Sequence, residues 1–447
     1  MSPNVDTIAA IATGQGNGGV GVVRVSGIGI EALSIGILGR LPVARHATFC
    51  NFLDEKGEAL DRGIALYFPS PHSYTGDDVL ELQGHGGPAV MQLILQRCLE
   101  LGARLAQPGE FTRRAFLNNK LDLAQAESVA DLIQANTSEA ARSAMRSLCG
   151  EFSGAINKLV DELINLRMLV EAMLDFPEEE VDAIDIKQRD ALLKSIQAKL
   201  QNIQNSAKQG SLLREGAHVV IAGQPNVGKS SLLNRLAGED LALVSDIPGT
   251  TRDVIRQAIQ IQGVPLHIMD TAGLRETQEV VESMGIARTR QTMHRADLIL
   301  LLLDASRGMT ADDLAIFSGL PADIPQLLVC NKVDLLQGEA PVNVIAQNPL
   351  VYISAKTGEG VDELLSKILK AVGWRDQESG AFMARERHLL ALQDAQHHLQ
   401  HAQQVLSRAE LFAEELRLAQ RSLSEITGEY TSEDLLGEIF SRFCIGK

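Results

Sequence analysis

The sequence predicts a multidomain α/β plus α protein. A P-loop domain with a mostly parallel sheet, residues 216–374, is inserted into a discontinuous helical domain, residues 119–215 and 375–447, behind an α+β domain of residues 1–118. Three observations predict this. Val219-Val220-Ile221-Ala222 runs into Gly223–Ser230, which fits G-x-x-x-x-G-K-[ST] at every fixed position, so a strand leads into a phosphate loop and then a helix. Helical periodicity with almost no proline runs from Lys120 to about Arg214 and returns only after Trp374. Short β-like runs between glycine and proline turns fill the first 118 residues.

A chain of 447 residues is too long for one domain and has material for several cores. Its net charge of -16, from 57 acidic and 41 basic residues, argues against a coat for non-specific nucleic-acid binding. Any RNA contact therefore uses a local patch or a partner. The cysteines at 50, 98, 149, 330 and 444 show no paired spacing, so neither a disulfide framework nor a zinc site is expected, and a reducing cytoplasm fits. No secretory leader is read at the N-terminus, and the longest apolar run, Leu298 to Leu303, reads as a buried strand rather than a membrane span. Asn136-Thr137-Ser138 matches a glycosylation acceptor but reads as a helix cap.

In the first domain, Gly19-Val20-Gly21-Val22-Val23-Arg24-Val25 and Asp78-Val79-Leu80-Glu81-Leu82 read as strands. The cluster Gly14-Gln15-Gly16-Asn17-Gly18-Gly19 precedes a strand instead of following one, so it reads as a tight turn and not a phosphate loop. Gln83-Gly84-His85-Gly86-Gly87-Pro88 reads as another glycine turn, with His85 structural rather than catalytic. Farther on, Leu148, Phe152, Ile156, Leu159, Leu163, Leu166 and Leu169 recur at steps of three and four along one long helix. That stripe needs a partner, and Arg385 to Leu416, continuing to Phe443, supplies the same texture; Gly210, Gly216 and Gly373 are the expected junctions of the insert.

Within the insert, glycines 223 and 228 let backbone N–H groups face an anion, and the next helix adds its positive end. Lys229 is expected to reach the β- and γ-phosphates and Ser230 to ligate Mg²⁺, with Asn226, Val227, Gly228 and Ser231 completing the loop. Asn331-Lys332-Val333-Asp334 follows the strand Leu327–Cys330, where open α/β sheets bind ligands. Asp334 can accept from guanine N1–H and the exocyclic amine, a donor pair that adenine lacks, so GTP and GDP are the expected nucleotides. Ser354-Ala355-Lys356 is expected to complete the base pocket. Asp270-Thr271-Ala272-Gly273 is placed to sense Mg²⁺ and the γ-phosphate. Ser245-Asp246-Ile247-Pro248-Gly249-Thr250-Thr251 occupies the position of a first switch loop, in which Thr250 or Thr251 closes on Mg²⁺. Leu274 stands where a water-orienting glutamine is found in Ras-like proteins, so another polar group must serve; Arg252, Arg275, Glu276, Glu279 and Glu282 are the nearby candidates.

These residues resemble one family, the tRNA uridine 5-carboxymethylaminomethyl modification GTPases, MnmE or TrmE, over essentially the whole chain. The resemblance is carried by GGVGVVRVSG from Gly18, DVLELQGHGG from Asp78, KLDLAQAE from Lys120, GQPNVGKSSLLN from Gly223, DIPGTTRD from Asp246, DTAGLR from Asp270 and the terminal Cys444-Ile445-Gly446-Lys447. It implies a folate-binding N-terminal domain that makes a homodimer, with Arg24, Glu81, Lys120 and Lys447 contacting 5-formyltetrahydrofolate. It implies K⁺ activation, the ion bound by Asn226 with oxygens of Ser245, Ile247 and Thr250; Mg²⁺ on Ser230 and Thr251; and Glu282 as general base. It also implies an FAD-dependent partner, MnmG, in a heterotetramer that modifies C5 of the tRNA wobble uridine, and gives Cys444 either a part in the chemistry or an inert place near the chain end. Gln224 departs from a common arginine and Pro248 from a common alanine, and both bear on loop geometry. The rival reading is a regulatory GTPase that binds ribosomes or a partner and modifies nothing, since such domains are reused widely.

Overall fold

The structure, a computed structural model, describes residues 6–14, 16–175, 183–238, 256–270, 296–336, 349–375, 380–429 and 433–446. It divides into two compact units, Met1–Ala130 with Ser147–Gln197 and Asp394–Lys447, and Asp131–Arg146 with Ala198–Gln393.

In the first unit, β1 (Ile8–Ile11), β2 (Gly18–Gly27), β3 (Thr48–Leu53), β4 (Ala59–Phe68), β5 (Asp78–Gly86) and β6 (Arg104–Leu105) form one sheet in the order β3-β4-β5-β2-β1-β6. Its pairings are antiparallel except that of β1 with β6. Successive strand residues face opposite sides, so Val23, Val25, Leu80 and Leu82 turn together toward α1 (Ile30–Leu38) and α2 (Pro88–Glu100), whose Ile30, Leu33, Ile37 and Ile94 cover them. Each such buried aliphatic side chain contributes about 1.5–3 kcal/mol. Arg24 and Glu81, directly opposite one another across β2 and β5, are left on the other side. The Gly14–Gly19 cluster does follow a strand, β1, and its Gly18 and Gly19 already belong to β2; Ile8–Ile11 has four residues, too few for its pattern to register. Gln83 to Gly86 is not a turn but the end of β5, and the strand stops only at Gly87, which precedes Pro88 in the first position of α2.

The remaining helices among the described residues are α3 (Glu110–Leu117), α4 (Leu123–Gln134), α5 (Ser138–Leu148), α6 (Glu151–Asp175), α7 (Ala183–Glu215), α8 (Lys229–Gly238), α9 (Ala311–Ser318), α10 (Val361–Ala371), α11 (Glu386–Gln404), α12 (Ala409–Thr427) and α13 (Glu433–Ser441). The long stripe predicted from Leu148 is broken by Gly150, at φ +87°, so Leu148 ends α5 and α6 begins at Glu151. Along α6, Phe152, Ile156, Leu159, Leu163 and Leu166 are buried, followed by Val170 and not Leu169. A step of four from Leu166 keeps the side chain on the stripe at 100° per residue. The stripe finds its partner in α12, whose Phe412, Leu416, Ala419, Leu423 and Ile426 are buried in turn; Arg167 Nη1 donates to Gln420 Oε1 at 2.8 Å across the pair. Leu436, Ile439 and Phe440 of α13, with Phe443, close on Leu123, Ala126 and Ala130.

The second unit is built on β7 (Ala217–Ala222), β8 (Arg256–Ile261), β9 (Val264–Asp270), β10 (Leu298–Asp304), β11 (Gln326–Asn331) and β12 (Leu350–Tyr352), ordered β12-β11-β10-β7-β9-β8 and parallel apart from β8. Leu298, Leu300 and Leu302 pack in the core with Leu232, Leu236, Leu364 and Ile368 of α8 and α10, while Ile299, Leu301 and Leu303 pack with Leu320 and Ile324 beyond α9. That two-sided burial is why β10 reads as an unbroken apolar run. Among the described residues no helix is long and apolar enough to cross a membrane. Thr137 caps α5 as expected, its Oγ1 accepting the Ala140 N–H at 3.1 Å.

Gly216, after α7, and Gly373, after α10, take φ of +72° and +87°. Gly210 lies inside α7 and is glycine because a methyl group there would collide with the Phe382 carbonyl oxygen. Gly210→Ala should therefore lower the thermal unfolding midpoint by several degrees despite alanine's better helix propensity. Gly154→Ala, in α6 with nothing within 4 Å of the added carbon, should gain about 0.5–1 kcal/mol. Equal responses of the two variants in a melting experiment would contradict the close approach at Gly210.

Candidate nucleotide site

The loop from Gly223 to Gly228 joins β7 to α8 at the carboxyl end of the parallel strands. Gly223 and Gly228 take φ of +146° and +100°, and Asn226, exposed at the turn, takes +63°. Lys229, 8% exposed, folds its ammonium back over the loop and donates to the carbonyls of Gly223 and Gln224 at 2.9 and 2.8 Å. Val227 is buried, whereas Ser230 and Ser231 are exposed in the first turn of α8, a helix end that favours anions.

The loops that follow β11 and β12 are drawn to this loop by one side chain. Asn331, 2% exposed, donates from Nδ2 to the Val227 carbonyl at 2.8 Å and accepts from the Ala355 N–H at Oδ1 at 2.9 Å. The approach leaves no room at Gly228, where a methyl group would meet Asn331 Nδ2. Ser354, wholly buried, donates from Oγ to Asp334 Oδ1 at 2.7 Å and accepts the Thr357 N–H at 3.1 Å. The exposed Asp334 carboxylate is thus fixed in orientation at the rim. Lys332 adopts φ +72°, and its ammonium reaches Asp304 Oδ2 at 2.7 Å.

Three residues of this arrangement were not among those predicted. Asp304 ends β10, and its Oδ1 accepts from the Ser306 N–H at 3.0 Å and hydroxyl at 2.6 Å. Burial raises its carboxyl, but the bonds from Lys332 and Ser306 outweigh that and hold it below the usual carboxylate range. Arg235 of α8 donates to the Ala355 and Lys356 carbonyls at 3.0 and 2.6 Å, tying the phosphate helix to the base loop. Thr310, the N-cap of α9, accepts from Gln224 Nε2 at 2.6 Å, so the residue that departs from the family pattern is bonded beside the loop. The sequence signal for Asp304 is an acid closing an apolar strand; Arg235 carries no local signal.

Asp270 ends β9. Ser245, Asp246, Ile247, Pro248, Gly249, Thr250, Thr251, Thr271, Ala272, Gly273, Glu282 and Lys447 lie outside the described residues.

Of the four residues predicted for folate, the structure brings two together. Arg24 Nη2 and Nε donate to Glu81 Oε1 at 2.9 and 3.0 Å, with the guanidinium 5.4 Å from the Tyr74 ring centre and 5.8 Å from that of Phe111. Lys120 is exposed beyond α3, and among the described residues no hydrogen bond or ion pair joins it to that pair. The C-terminal tail comes to the neighbouring strand: Gly446 lies against Ile11 and Ala12 at the end of β1, whose Ala10 pairs with Arg24, and the Cys444 carbonyl accepts from the Gly109 N–H at 3.3 Å.

A family model described as the MnmE helical domain matches residues 123–444, and one described as GTP-binding protein TrmE N-terminus matches residues 7–120. The chain is similar to the tRNA modification GTPase MnmE of Nitrosomonas europaea, 59% identical over 447 residues and 99% of each chain. It is as similar to that of Thiobacillus denitrificans, 59% identical over 447 residues, 100% of this chain and 99% of the relative. Era of Aquifex aeolicus, solved with GDP and AlF4⁻, shares 28% identity over 41% of this chain and 66% of its own, at a TM-score of 0.28 that carries no weight. Phosphate loop, base loops, helical body and N-terminal sheet all fall within full-length matches of this kind, and the chain belongs to the MnmE family.

Proposed function

We propose that the chain hydrolyses GTP in tRNA modification, working in the cytoplasm with an FAD-dependent partner, MnmG, to place a carboxymethylaminomethyl or aminomethyl group on C5 of the wobble uridine. The observation that supports the nucleotide most directly is Asp334, held by Ser354 and set beside an Asn331 that joins both base loops to the phosphate loop. A carboxylate fixed in this way accepts two hydrogen bonds from guanine and would go unmatched against adenine, whose N1 is an acceptor and whose C2 carries no amine. Asp334→Asn should lower GTP affinity by about 10³-fold and raise that for xanthosine triphosphate, whose C2 carbonyl accepts from the new amide. Titration with both nucleotides measures this, and unchanged GTP affinity would remove the guanine assignment.

Lys229 then neutralises charge on the transferring phosphoryl group. Ser230, exposed in the first turn of α8, and Thr251 would hold Mg²⁺, which would supply positive charge against the phosphates. Asn226, exposed and left-handed at the loop's turn, offers a carboxamide oxygen suited to K⁺, with Ser245, Ile247 and Thr250 as further oxygen donors. Glu282 takes the proton from the attacking water, a role Leu274 cannot fill. GTP turnover should be about tenfold or more faster in K⁺ than in Na⁺, and Glu282→Ala should lose about 10²-fold or more in the same assay. Equal rates in the two salts, or an unaffected variant, would remove the corresponding role.

In this reading a tetrahydrofolate supplies the one-carbon unit in the N-terminal domain of a homodimer. The Arg24–Glu81 pair fits such a ligand, since a guanidinium suits carboxylates, an acid suits pterin N–H donors, and Tyr74 and Phe111 add flat apolar surface. Lys120 and Lys447 would add cations. Calorimetric titration of 5-formyltetrahydrofolate should show binding that Arg24→Gln weakens about tenfold or more with GTP turnover intact. No folate binding by the native chain would favour the regulatory GTPase.

A further inference from the structure

The β8–β9 hairpin turns through Gln262 and Gly263, at φ +49° and +83°, two left-handed residues that match the strand twist. At its open end it carries the switch segments: residues 245–251 precede β8, and Asp270-Thr271-Ala272-Gly273 begins at the end of β9. At about 3.3 Å per residue, β9 spans about 20 Å from the turn to Asp270. The closed end is gripped by the start of α5. Thr137, 6% exposed, donates its hydroxyl proton to the Gly263 carbonyl at 3.0 Å while accepting the Ala140 N–H. Glu139 closes on Gly263 so tightly that an added carbon would lie 2.6 Å from its Cγ.

Capping α5 needs only an acceptor at residue 137. The bond to the hairpin needs a donor as well, and a hydroxyl supplies both. The same short stretch is fastened at two further points. Asp131, 5% exposed, accepts from Arg214 Nε at 3.0 Å and from Arg385 Nη2 at 2.8 Å. Ser143 Oγ and Arg146 Nη2 each donate to the Ala381 carbonyl at 2.9 Å. Residues 131–146 therefore touch the hairpin tip, the last turn of α7 and the chain returning from the nucleotide sheet.

We propose that Thr137 is a positioning residue that couples the hairpin to α5. A nucleotide-dependent shift of β8 and β9 passes through the Thr137–Gly263 bond into α5, and from α5 to both chain crossings. The coupling rests on the guanine-nucleotide reading above and adds to it a relay that bypasses the covalent junctions. Thr137→Ser keeps cap and donor. Thr137→Asp keeps the cap but has no proton to give. Gly263→Ala forces the tip off Glu139 without touching residue 137.

Hydrogen exchange of the full chain, with GDP and with a non-hydrolysable GTP analogue, reads the relay. In the native chain and in Thr137→Ser, peptides covering 138–148 should change exchange rate by about threefold or more between nucleotides. In Thr137→Asp and Gly263→Ala that difference should vanish while peptides covering 256–270 still respond. A native α5 that ignores the nucleotide, or variants that keep its full response, would overturn the coupling. Nucleotide titration of the same samples separates the two failures: binding retained with α5 silent overturns the coupling alone, and absent binding overturns the guanine reading with it.

Discussion

The nucleotide end of the second unit depends on the carboxamide of Asn331. It is nearly sealed from solvent, and it spends its oxygen on the base loop and its nitrogen on the phosphate loop. Neither bond is individually large, about 0.5–1.5 kcal/mol each, but a buried donor left unpaired costs about 1–3 kcal/mol. Both loops must therefore keep their places for the side chain to be satisfied. Gly228 follows from the same constraint, since any side chain there would meet Asn331 before it met a phosphate. Arg235 reinforces the link from α8. The distance between the phosphate cradle and the carboxylate of Asp334 is thereby set by buried hydrogen bonds instead of by the stiffness of two surface loops.

In the N-terminal sheet the controlling feature is alternation. Because Val23 and Val25 must turn inward on β2, and Leu80 and Leu82 on β5, Arg24 and Glu81 are delivered opposite one another on the other face. A half-buried ion pair flanked by Tyr74 and Phe111 is held in one geometry without being sealed off. It is worth less as a source of stability than as a prepared pair of unlike charges. A chain carrying a net charge of -16 thus holds a cation and an acid together on this face of the sheet.

What the sequence made legible is local. The phosphate loop and the two base loops each carry their meaning in spacing of a few residues, and each sits just after the strand its apolar run predicted. Asp304 and Arg235 escaped because their partners, Lys332 and the Ala355 and Lys356 carbonyls, lie 28, 120 and 121 positions away. The four-residue β1 was too short to show alternation, and that omission misplaced the glycine cluster after it. Steps of three and four both fit a helical stripe, so spacing alone led to Leu169 where the packed structure buries Val170. The helical texture after Lys120 looked uniform, yet Asp131–Arg146 groups with the nucleotide sheet; the salt bridges of Asp131 within that unit span 83 and 254 positions.

Those long-range bonds also bear on how an inserted domain can act at a distance. Two covalent crossings at glycines would by themselves form a loose tether. Here the crossings are bonded to one another: Gln209, 6% exposed, donates from Nε2 to the Gly373 carbonyl at 2.8 Å and accepts from the Arg375 N–H at Oε1 at 3.0 Å. A few residues away, Gln204 donates to the Leu392 carbonyl at 2.8 Å. Amide side chains on α7 thus hold the returning backbone at fixed heights, and Gly210 lets that backbone approach as closely as the helix surface permits. Entry and exit then move as one body, so relative motion between sheet and crossings has to be taken up elsewhere. The hairpin, anchored to the sheet along β9 and, among the described residues, to α5 through its tip, is the element placed to take it up.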